Sequence, residues 1–265
     1  MVIDFHTHIF PDKIAARSIE HLESASGIKA ATNGTLDGLL DSMEKNKVDL
    51  SVILPVVTKP SQFESVNRFA AEVNEKYKGK LISFGGIHPD SEDYKSELDC
   101  IKKLGLPGIK LHPDYQRVMI DDSRYMKIIE YADSLDLIIM VHAGVDIGLP
   151  DPVHCPPDKA RKVIDSIKPD KLILAHLGGW KQWEEVYELL AGKDVYLDTS
   201  FTFDYIEQDM FLKILKKHGH EKVLFATDSP WSDAAKAVES VRNMPLEQKV
   251  IEDILSGNAK TILNI

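Results

Sequence analysis

Two imidazoles stand two residues apart in His6-Thr7-His8, directly after the apolar run Val2 to Phe5. In a strand such residues point to one face, so both rings can converge on a single ion. Three more apolar runs end the same way: Leu137 to Val141 leads to His142, Lys171 to Ala175 to His176, and Lys222 to Ala226 to Thr227-Asp228. Ile138, Met140 and His142 share one parity, as do Leu224, Ala226 and Asp228. One histidine after a strand is ordinarily a hydrogen-bonded core or loop residue. Four imidazoles and a carboxylate ending four runs at the same end describe a site instead. Neutral imidazole and carboxylate suit Zn²⁺ and other divalent first-row ions. The ion's charge would lower the pKa of a water in an open coordination position from about 16 to about 7.

The elements that must position these residues recur along the whole chain. Eight short runs rich in Val, Ile and Leu are each followed by a longer amphipathic stretch; besides those named, they are Leu50 to Leu54, Leu81 to Ile87, Gly108 to Leu111 and Val195 to Asp198. Nearly continuous apolar strands alternating with helices indicate a parallel sheet covered on both faces, and eight such units match one closed (β/α)₈ TIM barrel of the α/β class. Helix starts sit between the runs: Thr35 before Leu36 to Asn46, Ser61 before Gln62 to Tyr77, and Ser91-Glu92-Asp93 before a segment ending near Leu104. Asp122-Ser123 precedes a helix to about Leu135, and Pro156-Pro157 opens one to Ile167. Trp180 to Ala191, Asp204 to His218 and a closing stretch from Leu246 to Leu263 complete the set. With no composition break, residues 1–265 are expected to form a single domain. Two long connections, Ile9 to Gly34 and Ala143 to Asp158, follow strands and so belong to the mouth, where such barrels carry substrate recognition. Within the first, Ile14 to Leu22 reads as a short surface helix.

Composition narrows the partners. A net charge of −10 repels a phosphate backbone, and basic clusters such as Lys213, Lys216 and Lys217 suit a solvated helix face, so no nucleic acid is expected. No apolar run approaches the roughly 20 residues that cross a bilayer. Met1 to Phe5 reads as a strand rather than a leader, so a cytoplasmic location is expected, and Cys100 and Cys155 imply no disulfide framework.

The chain resembles the amidohydrolase superfamily, and within it the amidohydrolase-2 branch, which includes decarboxylases as well as hydrolases. The matching pieces are Ile3-Asp4-Phe5-His6-Thr7-His8, Gly108-Ile109-Lys110-Leu111-His112-Pro113, Val141-His142-Ala143-Gly144, Ala175-His176-Leu177-Gly178-Gly179, Ala226-Thr227-Asp228-Ser229-Pro230-Trp231 and Gly257-Asn258-Ala259. Their order and their place at strand ends carry the likeness together. The resemblance implies that His6, His8 and His142 are metal ligands, that Asp228 is a ligand that also orients or deprotonates water, and that His176 is an acid or base beside the metal. In family members with two ions, His142 and His176 hold the second and a carboxylated lysine, here Lys110, bridges the pair. As an ammonium, Lys110 would repel a second cation and hold a substrate carboxylate or carbonyl; as a carbamate it would become an anionic ligand. One ion, most simply Zn²⁺, is the expectation and two the alternative. A homodimer is a further implication.

Other candidates are less specific. His88 and His112, each at the end of its run, could line the pocket with Lys110 and bind substrate, or simply hydrogen-bond a loop. Asp4 could support an imidazole from behind. His154-Cys155 in the mouth loop reads as incidental, and Trp180 and Trp231 could wall the pocket or pack against helices. The first expectation for function is hydrolysis of a C–N or C–O bond in a small-molecule lactone, cyclic amide or ester by metal-activated water, with Asp228 and His176 moving protons. Its alternative is non-oxidative decarboxylation of an unsaturated or aromatic acid. A non-catalytic metal-binding protein is the third. The recognition segments Phe10 to Gly34 and Val145 to Asp158 carry no motif that names the substrate.

Overall fold

In the computed structural model, residues 1–149 and 151–265 are described; Pro150, within the second recognition segment, lies outside them. The strands are β1 (Ile3–Thr7), β2 (Leu50–Ile53), β3 (Leu81–Ser83), β4 (Gly85–Gly86), β5 (Gly108–Leu111), β6 (Ile138–Val141), β7 (Leu172–Leu174), β8 (Tyr196–Asp198) and β9 (Val223–Leu224). All pair in parallel and in sequence order, β1 to β3 and then β4 to β9. The run from Leu81 holds both β3 and β4, interrupted at Phe84, whose amide still reaches the Ile53 carbonyl at 2.9 Å. The first and last strands meet through Phe5 N to Phe225 O and Asp228 N to His6 O, both 2.9 Å, with a parallel bridge between Thr7 and Ser229. Eight staves thus form the (β/α)₈ barrel expected from the pattern.

Alternation along the strands sorts the core into two clusters. Ile3, Phe5, Val52, Leu54, Phe84, Ile138, Met140, Ile173, Leu224 and Ala226 pack with one another inside the ring. Ile109, Leu111, Ile139, Val141, Leu172, Leu174, Leu197 and Val223 face outward and pack with helix residues. Ile138 and Met140 therefore aim His142 at the axis, and Leu224 and Ala226 do the same for Asp228. β1 departs from strict alternation. Its register against β2 shifts between Asp4 and Thr7, so Ile3 and Phe5 belong to the inner cluster while His6 also points inward. A bulge of this kind re-aims a side chain beside a site.

The helices are α1 (Asp12–Ser26), α2 (Leu36–Asn46), α3 (Phe63–Lys76), α4 (Tyr94–Lys103), α5 (Pro113–Gln116), α6 (Ser123–Ser134), α7 (Pro157–Ile167), α8 (Trp183–Leu189), α9 (Gln208–His218), α10 (Ala234–Arg242), α11 (Gln248–Glu252) and α12 (Asn258–Leu263). Thr35, Asp93 and Asp122 cap α2, α4 and α6 through their side chains. α1 is longer than the expected Ile14 to Leu22 segment. α8 starts after Trp180, because His176, Leu177 and Gly178 adopt left-handed backbone at φ 58°, 55° and 86° and hold the chain in a turn. α9 likewise starts only at Gln208, and the closing helix is split by a π turn over Asp253–Gly257. α5 and α10 are short helices that periodicity did not reveal. No helix is long and apolar enough to cross a membrane.

Candidate metal centre and active site

His6 Nε2, His8 Nε2 and Asp228 Oδ1 face one another at the barrel mouth. The two nitrogens are 3.1 Å apart, and the carboxylate oxygen lies 3.4 Å from His6 and 3.1 Å from His8. Donor atoms bonded to a tetrahedral ion at about 2.0–2.1 Å sit about 3.3 Å from one another, so the spacing is that of a ligand set. The far side of each ring assigns its tautomer. His6 Nδ1 donates to Asp198 Oδ2 at 2.8 Å, and His8 Nδ1 donates to the Leu54 carbonyl at 2.7 Å. Both Nε2 atoms are left as lone pairs turned toward Asp228, that of His6 also within reach of Lys110 Nζ. Burial foremost, with Lys110 nearby, lowers the His6 pKa to about 3, so this ring is neutral and ready to ligate. Burial pushes the Asp228 carboxyl up, but His6, His8 and His176 outweigh it and hold it below its ordinary value. Three acceptors converge here with Lys110 Nζ serving only His6 from one side, and two neutral imidazoles with a carboxylate at this spacing fit a divalent ion.

The backbone locks this geometry. His8 N reaches Ser229 O at 2.6 Å, beside the Asp228 to His6 bond already described. Asp228 itself is held at φ 67°, His176 at 58° and Phe201 at 49°, three non-glycine residues in left-handed backbone at strand ends. Such conformations cost roughly 1–3 kcal/mol each and cluster at functional sites. Gly144 permits a further close approach: a Cβ there would stand 2.1 Å from Trp180 N.

Lys110, at the end of β5, is buried with Nζ 3.1 Å from His6 Nε2. Burial lowers its pKa to about 8 against the pull of Asp198 and Asp228. His176 and His142 form a second set. His176 Nδ1 lies 3.0 Å from both the Ser200 carbonyl and the Ser200 hydroxyl, and that hydroxyl donates to Asp198, so Nδ1 carries the proton. His176 Nε2 then accepts from His142 Nδ1 at 3.0 Å. His142 Nε2 is consequently bare, buried and without a hydrogen-bond partner. It falls outside the His6, His8 and Asp228 cluster and groups instead with His112 and Asp146. His112 stacks on His142 with centroids 4.1 Å apart at 10°, its Nε2 3.5 Å from Asp146 Oδ2.

The remaining candidates separate. His112, Trp180 and Trp231 line the cavity above the site. His88 is not among the lining residues; its Nδ1 accepts from Asp90 N at 3.1 Å within its own loop. Asp4 touches no imidazole. Its carboxylate accepts from the Thr227 amide and hydroxyl at 2.9 and 2.6 Å and clamps the first strand to the last. His154 proves to be tied in: Nδ1 is 3.0 Å from Asp114 Oδ1, while Asp114 Oδ2 is buried without a partner, 3.9 Å from His142 Nε2. Asp198, Ser200, Asp114, Asp146 and Tyr115 were not singled out from the sequence. Asp198-Thr199-Ser200 ends an apolar run just as the recognised residues do, so the same rule could have found it.

The fold and the family are shared with known proteins. The family model described as amidohydrolase matches residues 3–265. A search of curated proteins returns no match. Among solved structures, an uncharacterised TIM-barrel protein of Bordetella bronchiseptica is similar at 18% identity and a TM-score of 0.84, with 99% of this chain and 98% of that one covered. The 5-carboxyvanillate decarboxylase of Sphingomonas paucimobilis is similar at 16% identity and TM-score 0.72, covering 100% and 99% of the two chains. A dihydroxybenzoic acid decarboxylase of Polaromonas sp. JS666, solved with bound manganese and the inhibitor 2-nitroresorcinol, is similar at 15% identity and TM-score 0.71, covering 99% and 96%. Matched from its first strand to its last residue, the chain belongs to the amidohydrolase family, in the branch named amidohydrolase-2.

Proposed function

We propose that this protein is a metal-dependent decarboxylase of an unsaturated or aromatic carboxylic acid. The observation that carries this is the convergence of His6, His8 and Asp228 at the floor of a cavity of ≈ 830 Å³ with aromatic and aliphatic walls. Two similar solved structures are decarboxylases of aromatic acids, one with manganese, which favours this chemistry over the hydrolysis expected first. A divalent ion, manganese or zinc, would supply positive charge that fixes the substrate's oxygen atoms and draws electron density from the breaking bond. His6, His8 and Asp228 are assigned as its ligands; His142, expected as a further ligand and with its Nε2 lacking a hydrogen-bond partner, groups with His112 and Asp146 and would have to move to join them. One ion is proposed, with Lys110 an unmodified amine that faces the substrate carboxylate.

In the reaction, the bond between the carboxyl carbon and its unsaturated neighbour breaks, CO₂ leaves, and a proton takes its place on the carbon that keeps the electron pair. The chain's part is to hold the acid with its carboxylate at the floor, exclude water with the apolar wall, and deliver that proton. Asp228 and the neighbouring His176 are assigned the transfer, each relaying a proton drawn from water since neither holds a free one at rest; Asp198 and Ser200 fix the His176 ring. His112, stacked on His142, offers a flat surface to a planar substrate. Hydrolysis is the second reading, since Asp228 beside two imidazoles could equally take a proton from water.

The test is product analysis. Protein loaded with manganese or zinc is incubated with aromatic and unsaturated acids and, separately, with lactones, cyclic amides and esters. CO₂ release from an acid is expected. Ring opening or ester cleavage without CO₂ from any acid would replace the decarboxylase assignment with hydrolysis.

A further inference from the structure

The cavity above the metal centre is larger and more apolar than a single ring with a carboxylate would fill. Its ≈ 830 Å³ lies toward the upper end of the range that buries drug-sized ligands. Its charged lining is concentrated at the floor. Among the described residues, Lys110 is the only lysine in the lining and no arginine is present, while Asp146 and Asp228 are the acidic members. Higher up, the polar side chains, such as Ser18, Ser65 and Gln62, are uncharged, with His21 the titratable exception. A second carboxylate carried outward on the substrate would leave water with no cation to meet it, which is costly.

The upper wall is built as an apolar sleeve. α1 buries only Ala15, yet Ile14, Ser18, Leu22 and Ala25, spaced by four, four and three residues, share one helical face and line the cavity. Phe69 of α3 lines it too, and Ile147 and Leu149 do so from the segment after β6. Ile14 is 50% exposed and Ile147 42% exposed, two of the five large hydrophobic side chains so exposed among the described residues, and both lie on this rim. Scattered exposed apolar residues need no explanation, but two on the rim of one cavity form a patch that a ligand would cover.

We infer that the substrate is a monocarboxylic acid with an extended apolar tail, its carboxylate at the Lys110 floor and its tail lying between α1 and the segment after β6. This rests on the cavity being the substrate site of the proposed function. It requires a tail of several methylenes or an equivalent apolar group, and it excludes a dicarboxylate with a charge at the outer end.

Binding read without turnover tests it. Manganese-loaded full-length protein is titrated by calorimetry with benzoate, 4-butylbenzoate, 4-octylbenzoate and terephthalate, with tryptophan fluorescence as a second readout because Trp180 and Trp231 line the cavity. Affinity should rise by about three- to fourfold per added methylene over the butyl range. Terephthalate should bind no more tightly than benzoate. In the Ile14→Glu/Ile147→Glu variant the ratio of 4-octylbenzoate to benzoate affinity should fall by about tenfold or more. Its metal content and melting temperature should hold, since both side chains are exposed. A flat or falling alkyl series, or terephthalate binding above 4-butylbenzoate, would overturn the inference. A rising series with no CO₂ from any acid keeps the tail and removes the decarboxylase; CO₂ release with a flat series does the reverse.

Discussion

His6, His8 and Asp228 stand at the ends of the first and last strands, and His112, His142 and Asp146 come from the ends of β5 and β6, likewise adjacent, and a mouth loop. In the first group each ring is pinned from behind, by Asp198 or by the Leu54 carbonyl, and the donor atoms meet at 3.1 to 3.4 Å. In the second, two rings lie stacked at 10°, and the three donor atoms gather more loosely, within 4.8 Å of one another, with His112 Nε2 3.5 Å from Asp146 Oδ2. Both groups face one cavity and hold the same residue types, two histidines and an aspartate. The difference shows that donor identity does not by itself set an ion site; the register shift in β1 and the orientation of the rings decide how closely the donors meet. The stacked pair is better suited to a planar ligand.

Substitutions can break this contrast, and the largest effect belongs to the pinned group. His6→Ala or His8→Ala should remove tightly bound metal and all measurable turnover, a greater loss than the roughly 10- to 100-fold that outer-shell changes cost. Elemental analysis of the purified variants checks it; full metal content in either would contradict the assignment. Asp228→Asn should keep the fold and much of the metal while lowering turnover about a hundredfold or more, the size of a general acid–base effect. Steady-state kinetics beside metal analysis separate these two losses.

Asp198→Asn should reduce metal affinity by about 10- to 100-fold without altering any ligand, because the carboxylate that orients His6 is gone. Chelator competition measures this. His112→Leu should leave metal content unchanged and lower kcat/KM only several-fold, since it removes a stacking surface and not a donor of the pinned cluster. If His112→Leu strips the ion instead, the two groups are one site and the contrast fails.

Lys110 adds a pH dependence whose sign is set by its lowered pKa. Below about 8 its ammonium sits beside the ion site and repels a cation; above that pH the neutral amine does not. Metal affinity should therefore rise by up to about tenfold per pH unit toward pH 8, one proton being released per ion bound, and then level off. Lys110→Met should flatten that limb in chelator competition from pH 6.5 to 9. Stability has a related sign. Lys110 is unprotonated in the folded metal-free protein between about 8 and its ordinary value of 10.5, where the unfolded chain still binds the proton, so this residue makes the fold relatively more stable as pH rises through that window.

Much of this architecture is legible in one dimension. Eight apolar runs at barrel spacing give the parallel staves, because strands buried on both faces need apolar residues at every position. Polar residues closing those runs mark His6, His8, His142, His176 and Asp228, since a barrel mouth is where such side chains can meet. Parity alone would have grouped Asp4 with His6 and His8, but the shift between Asp4 and Thr7 turns it toward Thr227, and no local sequence pattern encodes that register. Asp198 ends its run as the recognised residues do, but that it backs His6, and His154 Asp114, no local pattern shows, because those partners are 192 and 40 residues away. Sequence thus determined which residue types stand at which strand ends, a matter of local period and composition. Which donors converge, which tautomers they hold, and that α1 turns an apolar face over them were decided only when distant segments packed, because hydrogen-bond partners and cavity walls are properties of three-dimensional proximity.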